Sequence, residues 1–227
     1  MNNAIAVISI GDSKLLQYSL PTIQEYCSKC NVALELITIP KYNFGVHDGY
    51  NYARFEKNQV YNLYAKYDRI LRLDHDLIVR PNTPNLFDNP PGFVYATYED
   101  VGVKENNRRK IIEKSKNELG WIDNWWEGYF NSGVVLADKE HSWMYNISHL
   151  SLEDLRETWL SFAKEQTLLN WRVRKMDFKV VDLGWKFNCM GFFNKMYNTE
   201  DAHIIHFAGN PDIKEDNMRK EYRRLYG

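Results

Sequence analysis

Long apolar runs are missing from this 227-residue chain: no stretch approaches the ~18 residues of a membrane span. The opening MNNAIAVISIGD lacks a basic segment, and its apolar run is too short for a signal peptide. Cysteine is scarce, with only Cys27, Cys30 and Cys189. An odd count without a repeated pair argues against a disulfide framework and against a structural zinc site. Cys27 and Cys30 fall on one face of a predicted helix with Leu16, Leu20 and Ile23, so they read as packing; a working CxxC stands at a helix start. A reducing, cytoplasmic-type compartment is the default expectation. Charge of one sign is not in excess either: 29 basic residues face 30 acidic ones, for a net charge of -1. No global basic surplus is therefore available to neutralise phosphates, and nucleic acid is not an expected partner. Gly/Ser linkers and internal repeats are also absent, which points to one domain.

What is abundant is aromatic. Rings make up 15% of the chain, including 7 Trp and 15 Tyr, and their flat faces serve cores or stack on sugars and bases. Secondary-structure signals alternate at the start. Ala4–Ile10 reads as a buried strand, Ser13–Cys30 as a helix kinked at Pro21, Val32–Ile39 as a strand, Tyr52–Tyr67 as a helix and Arg69–Leu73 as a third strand. Leu77–Arg80 resumes extended chain. This β-α-β-α-β opening predicts an α/β fold: a Rossmann-like, mostly parallel central sheet flanked by helices, with its working edge at the strand C-termini. Further strands are expected at Phe93–Tyr98, Ser132–Ala137, Phe178–Leu183 and His203–Phe207, and a helix over Leu152–Trp171. Lys104–Leu119 reads as an exposed charged helix or lid. Residues 1–210 form the expected domain, and 211–227 a charged tail in a helix pattern, with room for further domains beyond it.

The sharpest chemical feature is Arg72-Leu73-Asp74-His75-Asp76-Leu77-Ile78-Val79. In extended chain, residues two apart face the same way, so Asp74 and Asp76 can converge on one cation while His75 points elsewhere. Two neighbouring buried carboxylates require positive charge beside them. A divalent ion supplies it; oxygen ligands suit Mg²⁺ or Mn²⁺, and an added imidazole favours Mn²⁺. The alternative is a strand-end turn whose carboxylates pair with Arg72 and Arg80.

That strand resembles the DxD strand of GT-A fold glycosyltransferases, particularly the retaining glycogenin-like and bacterial galactosyltransferase-like group. Four more stretches match in order: Tyr52-Ala53-Arg54; Phe130-Asn131-Ser132-Gly133-Val134; Glu165-Gln166-Thr167-Leu168-Leu169-Asn170; and His206-Phe207-Ala208-Gly209. The resemblance spans residues 4–214 and is strongest to glycosyltransferase domains of large algal viruses, which decorate capsid proteins. It implies a metal-dependent hexosyl transfer, with retention, from a UDP-sugar to a glycan or glycoprotein acceptor. Asp74, Asp76 and His206 would hold the metal, and Ser9, Ile10, Gly11 and Asp12 would read uracil and ribose, with His75 also on the nucleotide side. Arg54 and Lys57, three apart on a predicted helix, would reach phosphate or donor sugar. Asn131, Gly133 and Gly209 would approach the donor. Lys214 stands near the family's Lys-Pro-Trp, although Asn210-Pro211-Asp212-Ile213 departs from that pattern. Glu165 and Gln166 would act at the reacting centre; the family carries Asp where Glu165 stands.

The run Trp121–Phe130 (WIDNWWEGYF) is a candidate platform for the acceptor sugar, or else core. Competing readings fit less well. A sugar nucleotidyltransferase would show a Gly-rich basic loop after the first strand, which Ser9–Lys14 does not supply. A haloacid dehalogenase-type phosphatase would not continue with Leu77-Ile78-Val79, and a binding module leaves the carboxylate–His set unexplained.

Overall fold

The computed structural model describes residues 1–11, 13–47, 50–157, 164–209 and 211–227. The elements run β1 (Asn3–Ile8), α1 (Leu16–Cys30), β2 (Ala33–Ile37) and the short β3 (Val46–His47) and β4 (Tyr50–Asn51). A 3₁₀ segment, Tyr52–Gln59, leads into α2 (Val60–Leu63), followed by β5 (Arg69–Asp74), β6 (Leu77–Val79), β7 (Val94–Tyr98) and α3 (Glu105–Leu119). Then come β8 (Phe130–Asp138), α4 (Leu152–Glu157), α5 (Lys164–Lys175), β9 (Val180–Asp182), β10 (Cys189–Met190), β11 (Ile204–His206) and α6 (Pro211–Tyr226).

The main sheet has the order β2-β1-β5-β8-β7-β9. β1 pairs in parallel with β2 and β5, β9 runs parallel to β7, and β8 is antiparallel to both its neighbours. Its central strands are apolar on both faces, as a sheet covered on both sides requires. Ala4, Ala6, Ile70, Val135 and Ala137 face one core with Tyr64 and Tyr145. Ile5, Val7, Leu71, Leu73, Val134 and Leu136 face the other with Ile23, Tyr26 and Cys27 of α1. Cys27 is thus core, and burial pushes its thiol up to about 12, which leaves it without thiolate chemistry. Pro21 sits inside α1 without ending it.

Several expectations change. The helix expected over Tyr52–Tyr67 is mostly 3₁₀, with a single α turn. α3 is not an exposed lid. Arg108, Ile111, Ile112, Ser115 and Lys116 are buried, and the helix packs on α5. The charged tail segment is the helix α6, and what the structure adds is its docking on α1 and β6 through a Tyr18–Tyr222 ring contact and an Arg80–Glu221 ion pair at 3.1 Å. The Asn131–Gly133 stretch is an irregularity inside β8: pairing with β7 jumps from Ala96↔Val135 to Thr97↔Asn131. A bulge of this kind re-aims side chains, here toward the C-terminal end of β5.

Candidate active site

β5 ends at Asp74, and a bend at His75-Asp76 precedes β6. Asp74 and Asp76 therefore converge through the bend, not through strand alternation. His206 reaches them through a second, three-stranded sheet, β10-β11-β6. There His206 pairs antiparallel with Leu77, and the Phe207 N–H donates to the Asp76 carbonyl at 2.9 Å. The small sheet, not the main parallel one, joins residues 130 positions apart. One ligand atom from each of Asp74, Asp76 and His206 lies within 4.8 Å of the others. His206 Nε2 is 3.1 Å from Asp76 Oδ1 and 3.8 Å from Asp74 Oδ2.

Cations gather around the pair. Lys57 Nζ donates to Asp74 Oδ2 at 2.7 Å, Lys214 Nζ to Asp76 Oδ2 at 2.5 Å, and Arg72 Nη1 stands 3.5 Å from Asp74 Oδ1. Burial by itself raises the Asp74 carboxyl, but Lys57 and Arg72 outweigh it and hold the group below the usual carboxylate range. Burial opposes ionisation of Asp76 as well, and the His206 ring and Lys214 hold it well below that range. Arg80 is not a partner of either aspartate; it bonds Glu221 and the carbonyls of Glu200 and Ala202.

The cluster floors a cavity of about 510 Å³, whose lining includes Ile8, Ile10, Arg54, Lys57, His75 and Gly209. His75 turns away from the carboxylates, with Nδ1 3.4 Å from the Ile8 carbonyl. Of the expected nucleotide turn, Ile10 reaches the cavity wall, whereas the Ser9 side chain is buried and its N–H is bonded to the Ile37 carbonyl at 2.9 Å. Gly11 is exposed and outside the lining, and Asp12 lies outside the described residues, as does Asn210. Gly209 has φ +119°, a backbone conformation that a side chain would strain.

Next to the carboxylate pair, the Ser132 hydroxyl donates to Glu165 Oε2 at 3.0 Å, and Lys57 Nζ, which also holds Asp74, stands 3.7 Å from the same oxygen. Gln166 Oε1 accepts from Asn131 Nδ2 at 3.0 Å and from the Ser132 N–H at 3.1 Å, so its carbonyl is turned to the strand. Gly133 does not line the cavity. An added Cβ would lie 2.3 Å from His206 Cε1, so glycine here leaves room for the His206 ring.

Four residues escaped the sequence reading: Glu99, Lys104, Arg108 and Asn188. Glu99 is buried at the end of β7, ion-paired to Arg108 of α3 and bonded to Asn131. Glu99-Asp100 is an acidic pair at a strand end, but adjacent side chains in extended chain face opposite ways, so it lacks the two-residue spacing that marked Asp74 and Asp76. Asn188 carries no sequence signal. Of the expected acceptor platform, Trp125, Tyr129 and Phe130 are core, with Trp125 packed on Ile111 and Ile112. Trp121 and Trp126 are exposed, and neither lines the cavity.

Comparison with solved structures gives the same fold at low identity. A glycosyltransferase involved in glycosylation of the PBCV-1 major capsid protein superposes with TM-score 0.63 at 15% identity, over 95% of this chain and 99% of the other. The galactosyltransferase LgtC, solved with donor and acceptor sugar analogues, gives 0.60 at 14%, over 99% and 96%. Mouse xyloside xylosyltransferase 1 gives 0.53 at 13%, over 93% and 99%. No curated protein sequence matches. The family model described as glycosyl transferase family 8 matches residues 22–212, which hold the carboxylate pair, the β8 bulge, Glu165 and His206. The match covers most of the chain, and the chain belongs to glycosyl transferase family 8.

Proposed function

We propose that the chain transfers a hexose from a UDP-sugar to a glycan or glycoprotein acceptor, with divalent metal and with retention of configuration. The observation that carries this reading is the convergence of Asp74, Asp76 and His206 on the floor of the cavity. Two carboxylates and an imidazole suit Mn²⁺, and Mg²⁺ less well, and three protein ligands leave positions for diphosphate oxygens and water. A bound cation would neutralise the charge that grows on the diphosphate as the glycosyl bond breaks.

The chain's own residues do the rest. Arg54, Lys57 and Lys214 are the cations of the cavity wall that take diphosphate oxygens. Ile8, Ile10 and His75 form the nucleotide side, and Gly209 lets the backbone approach closely. Glu165, one methylene longer than the family's Asp and braced by Ser132, accepts hydrogen bonds from sugar hydroxyls, with Asn131 and Gln166 beside it. In a retaining transfer the acceptor hydroxyl attacks from the leaving-group face, so acceptor and diphosphate share one side of the sugar.

The test is calorimetric binding of UDP-, GDP- and dTDP-sugars with and without Mn²⁺, followed by assay of the released nucleoside diphosphate. Mn²⁺-dependent UDP release in the presence of a glycan acceptor supports the reading. Donor binding and turnover unaffected by EDTA refute it.

A further inference from the structure

A chain of side-chain amides links Glu99 to His206. Asn131 Nδ2 donates to Glu99 Oε2 at 2.9 Å, Asn188 Nδ2 donates to Asn131 Oδ1 at 3.0 Å, and His206 Nδ1 stands 2.8 Å from Asn188 Oδ1. Glu99, Asn131, Asn188 and His206 are all buried, and Asn188 is 0% exposed.

An amide can be turned over without changing its shape, so its direction must come from neighbours with one fixed polarity. Two such neighbours agree here. The Glu99 carboxylate, ion-paired to Arg108, only accepts, and so faces the Asn131 nitrogen. The Gly133 N–H only donates, at 2.8 Å, and so faces the Asn131 oxygen. With Asn131 oriented, its oxygen requires the Asn188 nitrogen, and Asn188 then has only its oxygen to offer His206. That oxygen can be satisfied only by a proton on Nδ1. Nε2 is the nitrogen turned to the carboxylates, 3.1 Å from Asp76 Oδ1, so any proton it carries is shared with Asp76 and is the one a metal ion would displace.

We infer that Glu99, Asn131 and Asn188 form a polarity relay that fixes the proton of His206 on Nδ1 and so prepares Nε2 as the metal-binding nitrogen, with Asn188 and Glu99 as positioning residues. Gly133 completes the device by leaving room for the ring against β8. Groups that orient a metal-ligating imidazole from behind commonly change metal affinity about 10–100-fold when removed. The use of Nε2 rests on the proposed metal site; the direction of the relay does not.

The experiment is ¹⁵N NMR of histidine-labelled, metal-free protein, with His206 assigned by loss of its signal in His206→Ala. The expected result is a protonated Nδ1 across neutral and alkaline pH. An unprotonated Nδ1 with the proton on Nε2 overturns the relay, and this measurement needs no relay variant to fold. Asn188→Leu should release the Nδ1 proton and weaken Mn²⁺ binding at least about tenfold. Asn188→Asp, which still accepts from Nδ1 but sets a second acceptor against the Asn131 oxygen, should keep the proton on Nδ1 and bind Mn²⁺ more tightly than the leucine variant. Leucine and aspartate variants with the same ¹⁵N pattern and Mn²⁺ affinity as wild type would also overturn it. A protonated Nδ1 in protein that binds no Mn²⁺ would uphold the relay and refute the metal reading instead.

Discussion

The carboxylate pair needs positive charge, and the protein supplies some of it before any ion binds. Lys57 and Lys214 each hold one aspartate. Asp76→Asn removes one charge of the proposed metal site and a partner of Lys214, so transfer activity should vanish and stability should fall modestly; full activity in this variant would remove Asp76 from the machinery. Arg54→Ala should leave the fold intact and weaken donor binding by about 1.5–3 kcal/mol, the range for a charge-assisted hydrogen bond to phosphate. Titration calorimetry reads this directly, and unchanged affinity would make Arg54 a surface charge. Gly133→Ala tests the closest approach in the site. A Cβ there would lie 2.7 Å from His206 Nδ1 and 2.9 Å from Asn131 Oδ1, so the imidazole must shift. Mn²⁺ affinity should drop by more than the overpacking cost of about 1–3 kcal/mol would lead one to expect from melting alone.

Among elements, α6 and the aromatic segment before β8 show most clearly what packing adds to a sequence reading. α6 carries Lys214 into the site and is clamped by Glu221 on Arg80 and by Arg224 on Glu200. Burial works against ionising Glu221, but its hydrogen bonds to Arg224 and Arg80 prevail and hold the carboxyl below its usual range. A depressed folded-state value means stability that is present above the unfolded value and lost as pH falls through the folded one. Wild type should therefore melt above Glu221→Gln at neutral pH, and the gap should close in acid. A gap independent of pH would show that the clamp is not ionic. In the aromatic segment, Trp125→Ala should cost about 3–5 kcal/mol, because it empties a filled core position. Trp126→Ala, which loses an exposed ring under the Lys116 ammonium, should cost about 0.5–2 kcal/mol.

At the scale of the molecule, two sheets meet at one cavity: the large sheet delivers Asp74, Asn131 and Glu99, and the small one delivers His206. Ligands that bind this junction only when it is assembled must raise the melting temperature. Mn²⁺ and UDP together, at about 100 times their dissociation constants, should add about 2.7 kcal/mol, or about 5–10 °C for a chain of this size. Neither alone should reach that shift, and EDTA should abolish it; a full shift from UDP in EDTA would refute joint binding. No helix among the described residues is long and apolar enough to cross a membrane.

The sequence by itself determined the β-α-β opening and the carboxylate pair, because both depend on neighbours within a few positions: apolar runs make strands buried on both faces, and a strand end presents adjacent side chains. The ordered stretches also placed Asn131, Glu165 and His206 in one family pattern. What local pattern could not decide is which distant groups meet. The partners of the aspartates come from a 3₁₀ segment, a second sheet and α6. Glu99, Asn131, Asn188 and His206 align only when β7, β8 and the strands of the small sheet are assembled. Trp125 and Trp126 are neighbours in an irregular stretch without a helical or strand period, so only packing on α3 could bury one ring and expose the other. Hydrogen-bond polarity has the same origin: an amide has no direction in a sequence, and acquires one when a carboxylate and a backbone N–H close on it from opposite sides.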